Sequence, residues 1–183
     1  MSFSIYKRGS NHLNTYKLTL LAIFAALGIV GRSVLAFIPN VQPVTALIII
    51  CGILIGPLSA LLLSIIVTFL SNMLLGMGIW TIWQIVSWGL IGIICGLLGK
   101  VFKKIPTVVI VFIGIISGYF YGFTISLTTY QVAGKFWPYY LLGLPFDTYH
   151  AIGNAVFIIL LYPIITHLLR KYAKDRFYIQ QRL

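Results

Sequence analysis

The sequence has very few acidic residues. Only Asp147 and Asp175 carry a carboxylate side chain among 183 residues, and charged residues of both signs make up 8% of the chain. Soluble domains have about 25% charged residues, so this composition excludes a water-soluble globular protein. A supply of two acids also excludes a hydrolase built on paired carboxylates and a metal cage built only from carboxylates.

Other features of catalytic and metal-binding proteins are missing as well. The two cysteines, Cys51 and Cys95, lie inside apolar runs, where cysteine behaves as a small hydrophobic residue. Their positions fit neither a disulfide framework nor a metal-binding spacing. The chain also has no Ser-His-Asp set and no glycine-rich phosphate loop. We therefore expect neither an enzyme nor a chain with its own metal or cofactor.

What the sequence does contain is long apolar runs separated by basic residues. Hydrophobic residues make up 60% of the chain, the mean hydropathy is +1.03 and the net charge is +11. A nucleic-acid-binding protein carries its basic residues on a polar surface, whereas here they lie between apolar segments. This pattern is typical of an integral membrane protein whose lysines and arginines mark the cytoplasmic side.

The apolar runs predict an all-α membrane protein with a single domain. A spanning helix needs about 20 apolar residues, so the run 44–75 is too long for one helix. Gly56-Pro57 is the natural place to divide it, because proline removes a backbone donor. The predicted helices cover residues 18–38, 44–55, 57–75, 81–98, 107–126 and 148–169, and a basic tail covers residues 170–183.

The basic residues predict the number of helices and their orientation. Eleven of the thirteen precede the first helix, follow the fourth or follow the last. With six helices all three groups lie on one side of the membrane, which the positive-inside rule makes cytoplasmic. We therefore predict six transmembrane helices with both termini in the cytoplasm.

Three segments then face outward, at residues 37–44, 75–83 and 127–147, and they predict a ligand pocket at the extracellular side. The third segment has about 20 residues, a length typical of lids and binding loops. Aromatic residues also anchor membrane proteins at the interface and pack helices together, so both interpretations stay open. The candidate binding residues in or beside these segments are Asn40, Gln42, Trp80, Gln84, Trp88, Tyr130, Trp137 and Tyr139.

Ionisable and amide residues inside the apolar runs are further candidates for substrate binding. Arg32 lies about two-thirds along the first predicted helix, where a charge is costly and usually functional; snorkelling to the interface is the alternative. Asp147, His150 and Asn154 share one face of the sixth helix, at spacings of i, i+3 and i+7. Asp147 either pairs with Arg32 or caps the helix. Asn72 is a binding residue or an interhelical hydrogen-bond partner.

A binding subunit is the function class that remains. A channel would show rings of charge or of carbonyl groups, and a secondary transporter would carry intramembrane ion-coupling groups, which two acids hardly supply. We therefore expect a binding protein in the membrane that depends on another protein for energy. A structural subunit of a membrane complex, without a ligand, is the alternative from a different class.

Several sequence features together resemble a known family. They are six predicted helices in 183 residues, small residues at Ala22 and Ala26, FIPNVQPVTA over 37–46, Ser71-Asn72 with GMGIWTIWQ over 76–84, and PFDTYHAIGN over 145–154. Over nearly its whole length the chain resembles the substrate-specific S-component of energy-coupling factor (ECF) type vitamin transporters, and among these the cobalamin-type members most closely.

The resemblance implies a division of labour between subunits. An S-component captures a vitamin outside the cell and docks on a transmembrane coupling protein with two ATPase subunits, so the partners use the ATP. In the family, small residues on the first helix pack on the coupling protein, which implies this role for Ala22 and Ala26. The resemblance also implies the plasma membrane of a bacterium.

The vitamin is predicted from the chemistry of the outward residues. They are rich in aromatic and amide side chains and include two basic residues, Arg32 and Lys135. This composition suits a large, mostly uncharged ligand and, with the resemblance, favours cobalamin. Pantothenate with its carboxylate on Arg32, pyridoxine or hydroxymethylpyrimidine, and queuosine precursors are the alternatives within the family.

Overall fold

The computed structural model describes residues 15–102 and 104–173. Within these residues the chain forms helices and no strand. Five of the helices are long and apolar enough to cross a membrane, and α2 is the exception. In chain order the helices are α1 (Thr15–Val34), α2 (Val44–Ile55), α3 (Pro57–Leu75), α4 (Trp80–Val101), α5 (Thr107–Ala133) and α6 (Trp137–Ala173).

The short helix α2 lies at the centre of the bundle. All residues of the segment Val44–Gly52 are buried, and α2 contacts each of the other five helices. Its 12 residues measure about 18 Å, well short of a hydrocarbon core of about 30 Å. The non-helical residues Gln42 and Pro43 are buried as well, and irregular backbone at such depth needs a covering of protein. α2 is therefore a core helix that the other five surround.

The break between α2 and α3 lies at Gly56 and Pro57, the pair at which the sequence predicts it. Gly56 has a φ of 130°, a conformation that favours glycine. Pro57 is the first residue of α3, where its missing N–H costs little because the first N–H groups of a helix have no partner within it. The prediction of two helices in the run 44–75 is confirmed.

Glycine residues let the helices pack closely. Gly114, Gly118 and Gly122 recur every four residues on α5 and face α6. A Cβ at Gly118 would lie 2.7 Å from the backbone nitrogen of Ala151, closer than a carbon atom normally approaches. Small residues at this spacing are typical of helix pairs in membranes, where close packing replaces the hydrophobic effect. Gly52 permits the corresponding close approach of α2 and α4.

Basic residues from distant parts of the chain lie at one end of the bundle. Lys17, at the start of α1, is within electrostatic range of Lys100 at the end of α4. Because α5 and α6 pack antiparallel, the carboxyl end of α6, with Arg170 and Lys171, lies where α4 stops and α5 begins. This is the end that the charge pattern predicts to be cytoplasmic. Outside the described residues lie Lys7, Arg8, Lys103 and residues 174–183 of the predicted tail.

The largest difference from the sequence prediction concerns the third outward segment. Residues 127–147 do not form a loop, because α5 continues to Ala133, α6 begins at Trp137, and a connection of three residues joins them. The segment stays helical because nothing breaks α5 before Gly134, which has a φ of 65°. Pro138 falls in the first turn of α6, where proline is tolerated. The expectation of a lid or long binding loop is wrong.

Other helix ends differ from the prediction by a few residues. α1 covers Thr15–Val34 instead of 18–38, α4 covers Trp80–Val101 instead of 81–98, and α6 ends at Ala173. Arg32 consequently lies in the last turn of α1 and not two-thirds along it. Helix ends are poorly specified by hydropathy, because apolar turns such as the one after α1 continue the apolar run.

The contact between Gly118 and α6 provides a test of this packing. Gly118→Val places a branched side chain against the Ala151 backbone and should lower the thermal unfolding midpoint in detergent, because overpacking costs about 1–3 kcal/mol. Gly143→Ala is the control, since no atom lies within 4 Å of a Cβ there and alanine favours the helix. An unchanged midpoint in Gly118→Val would contradict the close contact of α5 with α6.

Candidate functional site

Polar and aromatic side chains from all six helices meet inside the bundle. Polar groups at membrane depth are costly unless they find partners, and they are typical of functional centres. Arg32 is half-buried and the other members of the set are buried. We call the set the central network; it consists of Arg32, Thr45, Ser71, Asn72, Thr81, Gln84, Trp88, Tyr121 and His150.

Arg32 enters the central network from the last turn of α1. Its Nη1 donates a hydrogen bond to Ser71 Oγ over 2.6 Å, and its guanidinium carbon lies 5.4 Å from the centre of the Trp88 ring. This cation–π contact stabilises the positive charge without neutralising it. Within residues 15–102 and 104–173 Arg32 makes no ion pair with Asp147, so the expected pairing of these two residues is wrong.

A second part of the network surrounds the buried ring of Trp88. The indole Nε1–H donates to Thr45 Oγ1 over 2.8 Å, and the same oxygen lies 2.9 Å from His150 Nε2. Tyr121 stacks on Trp88 with ring centres 4.9 Å apart, and it meets the His150 ring edge to face at 4.8 Å. Four side chains thereby connect α2, α4, α5 and α6.

A chain of amide groups positions the hydroxyl group of Tyr121. Asn72 Nδ2 donates to Gln84 Oε1 over 2.7 Å and to Thr81 Oγ1 over 2.8 Å. Gln84 Nε2 in turn donates to the Tyr121 hydroxyl oxygen over 2.8 Å. Asn72 therefore does form interhelical hydrogen bonds, from α3 to α4. Because the Tyr121 oxygen accepts from Gln84, its own hydrogen is free for another acceptor, and the described part of the chain supplies none.

Asp147 lies beside the central network, on α6. Its side chain is 4% exposed, and its carboxylate occupies the space that a Cβ at Gly122 would fill. The carboxylate is within electrostatic range of Tyr121 but has no hydrogen-bond partner among the residues that the structure describes. Since α6 begins at Trp137, Asp147 does not cap this helix. Gly122 thus admits an unpaired acid between α5 and α6.

Several buried polar atoms near this centre also lack a partner. Among the described residues they include Asn72 Oδ1, His150 Nδ1 and Asn154 Oδ1, although Asn154 Nδ2 donates to the Gly114 carbonyl over 3.0 Å. A buried polar group without a partner costs about 1–3 kcal/mol, and native proteins keep few of them. Together with the Asp147 carboxylate, these atoms can hydrogen-bond a polar molecule bound at the network.

The other binding candidates lie toward the opposite end from the basic residues and outside the central network. Gln42 is buried in front of α2, and Asn40 lies in a left-handed turn with a φ of 60°. The aromatic candidates are between 42% and 64% exposed, as interface anchors are, and in the described residues none of their side chains makes a hydrogen bond or ring contact with the network; they are Trp80, Tyr130, Trp137 and Tyr139.

Ala22 and Ala26 lie one turn apart on the exposed side of α1. In the described residues the backbone of α1 packs on α2 and α3, through the opposite side of the helix, which carries the buried Phe24 and Gly28. A side with small residues that the described part of the chain leaves exposed is available to another helix, because small residues permit close approach.

Sequence reasoning does not single out Thr45, Tyr121 or Gly122. Thr45 is one hydroxyl in a strongly apolar helix, and Tyr121 is one of eleven tyrosines, so neither has a signal of its own in a single sequence. Gly122 does have a signal, because glycines recur every four residues on α5 and predict a close helix contact. Which side chain the glycine admits depends on the register of α6, which the sequence does not reveal.

A comparison with protein families identifies the kind of protein to which this bundle belongs. The family model described as "ECF transporter, substrate-specific component" matches residues 16–172, which include nearly all of the six helices. Its description names no vitamin. No solved structure matches the chain. The chain therefore belongs to the family of ECF transporter substrate-specific components, which are membrane subunits for substrate binding and not enzymes.

Proposed function

We propose that this chain captures a vitamin at the outer face of a bacterial plasma membrane and delivers it to an ECF module. The family match supports the module as partner. The basic residues at one end of the bundle, among them Lys17 and Lys100, favour an orientation with that end and both termini in the cytoplasm. The central network then lies in the outer half of the bundle, where substrate arrives.

The observation that carries the proposal is that Arg32, in the central network, and Asp147, beside it, do not pair with each other. Their charges cancel in sum, while each group keeps its capacity to bind a ligand. Free donors and acceptors accompany them, such as the Tyr121 hydroxyl hydrogen and Asn72 Oδ1. A ligand that is neutral overall and presents both N–H and C=O groups would satisfy this set.

Cobalamin is the vitamin that we propose on these grounds. Its corrin ring is fringed with primary amides, and each amide both donates and accepts hydrogen bonds. The exposed aromatic residues toward the outer end, such as Trp80 and Trp137, offer a broad surface to a ligand of this size. In this interpretation the amide side chains of the ligand reach the network while the ring stays near the outer end of the bundle.

Pantothenate is the second candidate, on account of Arg32. The guanidinium group donates to the uncharged hydroxyl of Ser71 and lies over an aromatic ring, and the described residues supply it with no anion. The carboxylate of pantothenate would supply one in a charge-assisted hydrogen bond. Asp147 argues against this ligand, because an unpaired carboxylate repels an anion.

The first test is a calorimetric titration of cyanocobalamin into the detergent-solubilised protein. We expect saturable binding, and Asp147→Ala should weaken it by about ten- to a hundredfold, since a hydrogen bond to a charged group contributes about 1.5–3 kcal/mol. Tyr149→Leu is the matched control, because Tyr149 lies on the same helix with 51% of its side chain exposed. If the wild type bound none of the candidate vitamins, a structural subunit would be the better interpretation.

Arg32→Gln distinguishes the two vitamins. If cobalamin is the substrate, pantothenate should give no heat with the wild type or with Arg32→Gln, and cyanocobalamin should bind both proteins, because a neutral ligand needs no guanidinium counter-charge. If pantothenate is the substrate, the wild type should bind it and Arg32→Gln should lose about 2–5 kcal/mol of affinity, as buried charge pairs do on truncation. The second result would replace cobalamin as the proposed vitamin.

The role that we propose for Ala22 and Ala26 is docking on the coupling protein. Ala22→Trp or Ala26→Trp should leave ligand binding by the isolated chain unchanged and abolish ATP-dependent uptake by the complete transporter, because a large ring holds the partner helix away. Leu27→Trp is the control, since Leu27 is already large and 51% exposed beside this face. Normal uptake with either alanine variant would contradict the docking role.

A further inference from the structure

We infer that the Thr45 hydroxyl group holds the ring proton of His150 on Nδ1, so that His150 and Asp147 together bind a carboxamide group of the substrate. Thr45 is then a positioning residue, which acts through His150 and does not itself touch the ligand. The inference rests on the proposed function for the existence of a ligand at this place, whereas its first step rests on hydrogen bonds within the chain.

The position of the ring proton follows from counting hydrogens at Thr45. An indole N–H only donates, so Thr45 Oγ1 accepts from Trp88. The hydroxyl group has one hydrogen of its own, and in residues 15–102 and 104–173 the one acceptor within hydrogen-bond distance is His150 Nε2, at 2.9 Å. That nitrogen must then be unprotonated. The neutral imidazole ring consequently carries its hydrogen on Nδ1.

The opposite arrangement is less favourable. If His150 Nε2 carried the hydrogen and donated it to Thr45, the hydroxyl hydrogen of Thr45 would have no acceptor in the described part of the chain. Thr45 is 0% exposed, so water would not replace the missing partner. The Nε2–H tautomer would also leave the Nδ1 lone pair without a donor among the described residues, so two buried groups would be unpaired. The Nδ1–H tautomer leaves one, the Nδ1 hydrogen itself. The additional unpaired group costs about 1–3 kcal/mol, which favours the Nδ1–H tautomer.

The proton on His150 Nδ1 faces no acceptor among the residues that the structure describes. Nδ1 is buried and has no hydrogen-bond partner among the described residues. Asp147, three residues earlier, is 4% exposed, and its carboxylate likewise has no hydrogen-bond partner among these residues. Side chains three residues apart on a helix are neighbours, with Cβ atoms about 5–6 Å apart. α6 therefore presents a free donor and a free acceptor side by side.

A primary carboxamide matches this pair. The carbonyl oxygen of the carboxamide accepts from His150 Nδ1–H, and its N–H group donates to the Asp147 carboxylate. One group of the ligand therefore supplies a hydrogen-bond partner to both side chains. A carboxylate offers two acceptors and a negative charge, and Asp147 would repel it. Tyr121 supports the pair from α5, because its ring packs on His150 and its hydroxyl group is within electrostatic range of Asp147.

The first experiment measures the tautomer without any ligand. The chain has three histidines, so the ring nitrogens of the full-length protein, labelled with nitrogen-15 and solubilised in detergent, give few signals in a long-range proton–nitrogen correlation spectrum. His150→Gln assigns the signals of interest. We expect the Nδ1–H tautomer in the wild type and in Thr45→Ser, and a shift of population toward Nε2–H in Thr45→Val, which keeps the shape and loses the hydroxyl group. An Nε2–H ring in the wild type, or an unchanged spectrum in Thr45→Val, would overturn the role of Thr45.

The second experiment tests the carboxamide with acetamide as the probe and acetate as its matched control. Acetamide should shift the His150 ring signals in a saturable way, and acetate should not. Thr45→Val should weaken the response to acetamide about tenfold, the loss of roughly one hydrogen bond to a fixed donor, while Thr45→Ser should retain it. His167, exposed near the other end of α6, is the internal control. No response to acetamide, or an equal response to acetate, would refute a carboxamide subsite.

These outcomes separate the inference from the proposed function. If acetamide acts as expected and cyanocobalamin fails to bind, the proposed vitamin is wrong and the carboxamide subsite stands. If cyanocobalamin binds while Thr45→Val changes neither the tautomer nor the affinity, the proposed function stands and the inference is wrong.

Discussion

The enclosure of α2 is the constraint on which the rest of the structure depends. This helix is too short to cross a membrane unaided and is buried over most of its length, so the other five helices must surround it. Close packing is possible because glycines such as Gly52 and Gly118 remove the side chains that would hold helix backbones apart. Thr45, at the start of α2, is consequently cut off from water and finds its partners on α4 and α6. The central network is in this sense a consequence of burying α2.

Polar groups that are enclosed in a protein normally have hydrogen-bond partners. Several enclosed polar groups in the described part of this chain have none. Asn72 uses both of its N–H groups, while its oxygen has no partner and the buried Asp147 has no cation among the residues that the structure describes. One such group costs about 1–3 kcal/mol, a considerable part of a total stability of about 5–15 kcal/mol. Apolar replacements would be more stable, and the substrate that we propose would pair with these groups while it is bound.

The sequence predicts the architecture better than the contacts at the site. The charge groups and Gly56-Pro57 predict the six helices, and the i, i+3, i+7 spacing predicts the shared face of α6 on which Asp147, His150 and Asn154 are buried. These predictions succeed because apolar length and helical period are local properties. The connection at 127–147 is wrongly predicted because aromatic and polar residues there suit an interface loop and a helix equally well. The predicted pairing of Arg32 with Asp147 is wrong for another reason. Opposite charges indicate that two residues attract each other, whereas the relative position of α1 and α6 determines whether they lie within contact distance.

The first helix links the two surfaces that the proposed function requires. Arg32 contacts the network through Ser71 and Trp88, and Ala26, six residues earlier, lies on the uncovered side. At about 1.5 Å per residue these positions are about 9 Å apart along one helix. Within the described residues the backbone of α1 packs on α2 and α3, and Arg32 adds a side-chain contact to Trp88 on α4. A partner helix that moved α1 by binding its small residues would therefore move Arg32 as well, because a helix transmits displacement along its axis. Docking and substrate release would then be coupled through a single rigid element, without a separate lid.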